Sequence, residues 1–278
     1  MSERVVCETC PRHCSLAFGE IGFCHARQER NERIVAANYG RITSIALDPI
    51  EKKPLAFFMP GSNVLSVGSY GCNLRCSFCQ NDSISQHGEG DVPWREIAPD
   101  ELARIALGLR SKGNIGVAYT YNEPLVGWEF VADTAEEVRK LGMKNILVSN
   151  GCVETEIAER IAPLIDAANI DLKGPDQSFY DWIGGRFEAV CNTIRILNAA
   201  KCHVEATMLV IPGRNDSEEA VREVSGFLAS VSPGITLHVT RFFPRFRMMD
   251  ARATPVETIY RLAEVARENL KRVLTGNC

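Results

Sequence analysis

No apolar run in this 278-residue sequence approaches the roughly 20 residues that a helix needs to cross a bilayer, so no membrane span is expected. The first residues, MSERVVCETC, lack the apolar stretch of a secretory signal, and a cytoplasmic location is expected. Excess positive charge is missing too: 31 Lys+Arg stand against 35 Asp+Glu, a formal net charge of −4. A chain without a basic footprint is not expected to take nucleic acid as its partner. Low-complexity tracts and internal repeats are absent, which excludes solenoids and linker-dominated chains. The 45% hydrophobic and 24% charged content is that of an ordinary globular protein with one large core or two modest ones.

Cysteine is what the sequence has in excess. Eleven Cys without an export signal argue against a disulfide framework and for metal or redox chemistry. Seven of them fall into two tight groups, Cys7, Cys10, Cys14 and Cys24, then Cys72, Cys76 and Cys79. Cys152, Cys191 and Cys202 read as buried small apolar residues, and Cys278 as a free terminal thiol.

The pattern divides near residue 62. Residues 1–62 form a small Cys-rich extension organised by metal, with weak alternation over Ile42 to Leu47 that suits an edge strand or hairpin. Over residues 63–278, strand-like runs appear at Val64–Val67, Ile115–Tyr119, Asn145–Val148, Ala168–Leu172, His203–Val210 and Ile235–Val239. Helical spacing lies between them. Leu102, Ile105, Ala106 and Leu109 mark one face, and Val131, Ala135, Val138 and Leu141 mark another over about 126–141. Ile157 and Ile161 precede Pro163, and Val221, Val224 and Leu228 form a further face. The last helix is expected to start at a capping box of Thr254, Pro255 and Glu257. Six alternating units imply an α/β fold with a parallel sheet, a partial (β/α)6 TIM-like barrel. Chemistry in such folds collects at the C-terminal strand ends.

Directly after the first strand comes Cys72-Asn-Leu-Arg-Cys76-Ser-Phe-Cys79, a C-x3-C-x2-C loop. Four thiolates would close the coordination of a structural metal, whereas three hold three irons of a cubane and leave the fourth open to a reactant. The loop resembles the cluster loop of the radical S-adenosylmethionine (SAM) enzymes. That resemblance implies a 4Fe–4S cluster on Cys72, Cys76 and Cys79, with SAM chelated at the open iron. One electron then splits SAM into methionine and a 5′-deoxyadenosyl radical that abstracts hydrogen. Phe78 would lie near the adenine.

The later strand ends extend the resemblance. Tyr119-Thr-Tyr-Asn122-Glu123-Pro124 occupies the place of the family's Gly-Gly-Glu segment, so Glu123, with Asn122 beside it, is implied to receive the SAM amino group. Ser149-Asn-Gly and Asp171-Leu-Lys173-Gly174 are similar to segments of the glycyl-radical-enzyme activases, such as the pyruvate formate-lyase activating enzyme. By that likeness Ser149, Asp171 and Lys173 help to hold the methionine moiety, and His238 contacts SAM. Val148 stands where a second carboxylate would complete a cation site. Arg241, Arg245 and Arg247 are either ligands for an acidic group or a solvated loop.

The N-terminal Cys7, Cys10, Cys14 and Cys24 offer four soft ligands in a short polar segment, suiting zinc or a second iron–sulfur centre. His13 and His25 flank them. Together with TYNEP, DLKG and HVTRFFPR, this pattern resembles the radical SAM member of the AmmeMemoRadiSam system, a branch close to the activases. The resemblance implies a low-potential electron donor such as ferredoxin or flavodoxin. The further partner is then either a protein of that system or a glycyl-radical enzyme. A non-catalytic iron–sulfur electron-transfer protein is the rival from another class, and would show cluster redox chemistry without SAM binding.

Overall fold

Alternation along Val64, Leu65, Ser66 and Val67 puts successive side chains on opposite faces of a strand, and both faces are covered. That strand, Asn63–Gly68, is the first of seven parallel strands in the computed structural model, which describes residues 4–278. The others are Asn114–Tyr119, Lys144–Ser149, Ala167–Asp171, His203–Val210, Thr236–Arg241 and Val273–Gly276, neighbours in sequence order. Helices make the crossovers: Pro99–Gly108, Trp128–Lys140, Thr155–Ile161, then Gln177–Ile183 with Phe187–Ala199, Glu218–Val231 and Val256–Arg267. The main core lies between these helices and one face of the sheet, where Leu102, Val131, Ala135, Ile194 and Leu262 meet Leu65, Val117, Leu147 and Ile170.

The sheet has one more parallel strand than the six expected. Val273–Gly276 pairs with residues 237–240, and its four residues are too few to register as alternation. An eighth strand, Ser44–Pro49, runs antiparallel on the opposite edge against 63–68. Among the described residues the two edge strands do not pair, so the sheet is open rather than a closed barrel. The 44–49 strand also carries the sheet across the expected boundary at residue 62.

Residues 50–58 form a plug packed against the sheet. Ile50 and Leu55 are fully buried against Val64, Ala118, Ile146 and Ala167. Ala118, Ile146 and Ala167 are direct register partners across three adjacent strands. Two alanines in that row leave the space that Ile50 and Leu55 fill, and each buried side chain contributes about 1.5–3 kcal/mol. The plug is pinned by polar contacts: Asn169 donates to the Pro54 carbonyl at 2.8 Å, and the Ala56 and Phe57 amides donate to Glu205 at 3.1 and 2.9 Å.

The last crossover helix starts differently from expectation. It spans Val256–Arg267, with Pro255 at its N-cap and no side-chain cap. The Thr254 hydroxyl is buried instead, donating to the Val210 carbonyl at 2.6 Å and accepting from the Phe242 amide at 3.3 Å. It ties together the ends of the fifth and sixth strands, a tertiary demand that overrides the local capping pattern.

Candidate active site

The three thiols of Cys72, Cys76 and Cys79 stand on the wall of a cavity of about 750 Å³ at the C-terminal strand ends. The loop carrying them is held from several sides. The Cys72 amide donates to the Cys24 carbonyl at 3.1 Å, the Arg75 amide to Ile183 at 2.8 Å, and the Arg247 amide to the Ser77 carbonyl at 2.9 Å. Gly71 has φ +88°, and a Cβ there would lie 2.4 Å from the Cys24 carbonyl oxygen, so only glycine fits. Phe78 is buried, packs on Trp182 with ring centroids 5.5 Å apart, and lines the same cavity.

Burial raises the Cys76 thiol to about 12 and lifts Cys72 well above its usual range, so both are neutral thiols without a metal. Hydrogen-bond donors already face the sulfurs. The Leu74 amide lies 3.4 Å from Cys72 Sγ, Asn150 Nδ2 lies 3.6 Å from it, and Ser85 Oγ is 3.1 Å from Cys79 Sγ. Among the described residues, no three His, Cys, Asp or Glu side chains are grouped to hold a metal ion as they stand. Three thiols on one loop around a wide cavity, with donors to stabilise thiolates, fit the corners of a cluster better than the first shell of one ion.

Glu123 is buried at the end of the second strand, where it also caps the turn that follows. Its Oε1 accepts from the Ser149 hydroxyl at 2.7 Å and the Leu125 amide at 3.0 Å, and its Oε2 accepts from the Asn150 amide at 2.8 Å. Burial nevertheless dominates and raises its pKa to about 7. Oε2 keeps a free lone pair for one further donor, which suits an ammonium. Tyr121, two residues before, has φ +73°, an uncommon conformation for a bulky residue.

Asp171 and Lys173 pair at 2.8 Å and face the same cavity. Burial works against the Lys173 ammonium, but the Asp171 carboxylate outweighs it and keeps the charge in place. Asn122 also lines the cavity, with its amide committed to the cluster loop. Its Nδ2 donates to the carbonyls of Tyr70 and Gly71 at 3.0 and 3.1 Å, and its Oδ1 accepts from the Ser69 amide at 3.0 Å. His238 sits on the cavity wall within the sixth strand, its Nε2 2.6 Å from Glu205 Oε2. Arg241 is spent on the Thr254 carbonyl at 2.6 Å.

Sequence reasoning passes over three parts of this site. Glu205 is fully buried and holds both His238 and His203, the latter at 2.9 Å. Four donors hold its pKa down at about 2 against the penalty of burial. A carboxylate in a strand otherwise reading as core was the available hint. Lys53, on the plug, lines the cavity floor, bound to Asp48 at 2.9 Å, and Tyr121 donates to the same carboxylate at 2.7 Å. Asn150, inside the Ser-Asn-Gly segment, links Cys72, Asn73 and Glu123.

The N-terminal cysteines are brought together as well. Cys7, Cys10, Cys14 and Cys24 line one small cavity of about 10 Å³ directly behind the cluster loop. Cys152, Cys191 and Cys202 are buried, and Cys278 is exposed.

A fold with seven parallel strands and a three-thiol loop after the first of them is that of the radical SAM proteins. Residues 66–224 match the Radical SAM superfamily, and the chain belongs to it. It is 37% identical over 276 residues to an uncharacterized protein of Methanocaldococcus jannaschii, covering 99% of this chain and 81% of that one. The benzylsuccinate synthase activating enzyme of Thauera aromatica is 25% identical over 203 residues, 69% of this chain and 60% of the relative. In fold, the chain resembles a domain of pyruvate-formate lyase-activating enzyme from Bacteroides vulgatus, with TM-score 0.52 and 18% identity over 58% of this chain and 99% of that domain. Membership implies a 4Fe–4S cluster and SAM as cofactors. No helix among the described residues is long and apolar enough to cross a membrane.

Proposed function

We propose that this chain is a cytoplasmic radical SAM enzyme of the AmmeMemoRadiSam branch, which abstracts hydrogen from its substrate after reductive cleavage of SAM. The observation that carries this reading is the sharing of one cavity by the Cys72, Cys76 and Cys79 thiols and the buried Glu123 carboxylate. The three cysteines would hold the cluster. When bound, the cluster and SAM supply the one-electron cleavage and the hydrogen-abstracting radical, with the electron coming from a ferredoxin- or flavodoxin-like donor.

The chain's own residues bind and orient. Glu123 offers Oε2 to the SAM ammonium, while Ser149 and the Asn150 amide fix its carboxylate. Asp171, Lys173 and Ser149 would hold the methionine moiety, Phe78 would lie near the adenine, and His238 would contact SAM, all of them lining the same cavity. Asn122 acts one step back, holding the loop that carries the cysteines. The Cys-rich segment up to residue 62 adds a second metal centre, zinc or iron–sulfur, at Cys7, Cys10, Cys14 and Cys24.

A second reading is a glycyl-radical activase. It is favoured by the likeness to the benzylsuccinate synthase activating enzyme. The test is 5′-deoxyadenosine formation from SAM by the anaerobically reconstituted protein with a low-potential reductant, beside Cys76→Ala. Product from the native protein alone supports SAM cleavage, and its absence with an intact, reducible cluster and candidate substrates present contradicts it. Adding candidate partners separates the readings, because an activase leaves an EPR-visible radical on a partner glycine.

A further inference from the structure

Four thiols line the small cavity behind the cluster loop, together with Arg12, Arg27 and Asn73; among the described residues no three are grouped to hold a metal ion as they stand, so binding requires the side chains to close on the ion. The cavity volume of about 10 Å³ holds one water-sized sphere, which suits a single ion. His13 and His25, each next to a cysteine, take positive φ of 44° and 61°, turning the chain tightly around the space.

Arg27 supplies an independent pointer to a bound group. Its side chain is only 6% exposed, and one terminal nitrogen is paired with Glu129 at 2.7 Å. Its Nε is buried with no hydrogen-bond partner. A buried donor without an acceptor is unfavourable, and a metal-bound thiolate beside it would satisfy it.

The same turn grips the cluster loop. The Cys24 carbonyl accepts from the Cys72 amide at 3.1 Å. Arg75 donates to the Phe23 carbonyl and stacks on the Phe23 ring at 3.9 Å, and Arg12 stacks on that ring at 3.5 Å.

We propose that Cys7, Cys10, Cys14 and Cys24 bind a single zinc ion, and that this ion fixes the turn that positions Cys72 in the cluster loop. The inference deepens the second metal centre of the preceding reading and rests on it. Zinc binding converts four thiols to thiolates as the side chains close on the ion, and four protons leave to solvent. The resulting site has two net negative charges, facing the Arg12 guanidinium and that of Arg27, which Glu129 already pairs. In this role the N-terminal cysteines are positioning residues that act on the reaction through Cys72.

The test uses the full chain with Cys72→Ala, Cys76→Ala and Cys79→Ala combined, purified anaerobically from medium holding zinc and iron. Elemental analysis is expected to find about one zinc per chain with no acid-labile sulfide, and the further Cys10→Ser change to remove it. Iron and sulfide in place of zinc would overturn the assignment, as would a metal-free chain with a native circular dichroism spectrum. Cobalt added to the zinc-stripped triple variant gives a readout without any N-terminal substitution: a strong sulfur-to-cobalt absorption band supports the site, and its absence overturns it. Because the triple variant lacks the catalytic cysteines, these results are independent of whether SAM is cleaved.

The positioning half is read from Cys10→Ser alone, with the cluster reconstituted. SAM affinity is expected to fall by about ten-fold or more, with an altered EPR line shape of the reduced cluster. An unchanged line shape and affinity in the zinc-free variant would overturn it.

Discussion

Ser149 Oγ lies 2.7 Å from Glu123 Oε1, so the end of the third parallel strand directly sets the carboxylate at the end of the second. This hydroxyl and two amides partly offset the burial that raises Glu123 to about 7. The pair therefore has a pH signature in both binding and stability.

SAM affinity should fall as pH drops through about 7, because a neutral Glu123 loses its attraction for the ammonium. Ser149→Ala should move that midpoint upward, as one hydrogen bond favouring the charged form is removed. For stability the sign is opposite. A carboxyl raised from 4.5 to about 7 in the fold stabilises the ligand-free protein below pH 4.5, and that contribution is lost as pH rises through about 7. Its span is on the order of 3 kcal/mol. The melting temperature of native protein relative to Glu123→Gln should show this decline between pH 4.5 and 7, and a flat difference would contradict it.

Glu205→Gln should cost about 3–5 kcal/mol at neutral pH, since it breaks a fully buried charge held by His203, His238 and two plug amides. The Glu205 pKa falls from 4.5 to about 2 in the fold, so its stabilisation is present above 4.5 and lost as pH falls through about 2. Denaturant titrations of both proteins at pH 7 and pH 3 check this. The gap between them should narrow at the lower pH.

Leu55→Ala should destabilise the protein by about 2–5 kcal/mol, as expected for a side chain fully enclosed by Ile50 and the row of Ala118, Ile146 and Ala167. It should also loosen the cavity floor at Lys53. Hydrogen exchange of the Ala56 and Phe57 amides would report that loosening.

Gly71→Ala places a Cβ 2.4 Å from the Cys24 carbonyl in a left-handed backbone conformation. A cost of about 2–4 kcal/mol and a lower yield of reconstituted cluster are expected. Gly90→Ala, at a glycine with open space around it, is the control and should behave as native.

The elements that place the site were largely legible because periodicity is a local property. His203–Val210 is found over the expected span, and the Cys72–Cys79 loop follows the first strand as read. What stayed hidden depends on contacts between distant segments. Ile50 and Leu55 look like loop residues until Ala118 and Ala167 supply a hole for them. Thr254 carries a helix-start pattern, yet a bond to Val210, 44 residues away, claims its hydroxyl. Glu205 stands out in sequence only as a carboxylate in a core-like strand, and its partners, on the plug and the neighbouring strand, are not legible there. Asn122 lines the cavity, yet its bonds to the Tyr70 and Gly71 carbonyls, 52 and 51 residues away, are equally silent in sequence.

The central claim is that the three-thiol loop and Glu123 form one SAM-binding cluster site. Its most direct test is the low-temperature EPR spectrum of the reduced, reconstituted protein before and after SAM is added, with Cys76→Ala alongside. A cubane signal is expected in the native protein, with g-values that shift on SAM binding, together with a weaker shift in Glu123→Ala and no cluster signal from the Cys76→Ala loop. A reduced cluster whose spectrum is unmoved by saturating SAM would contradict the claim.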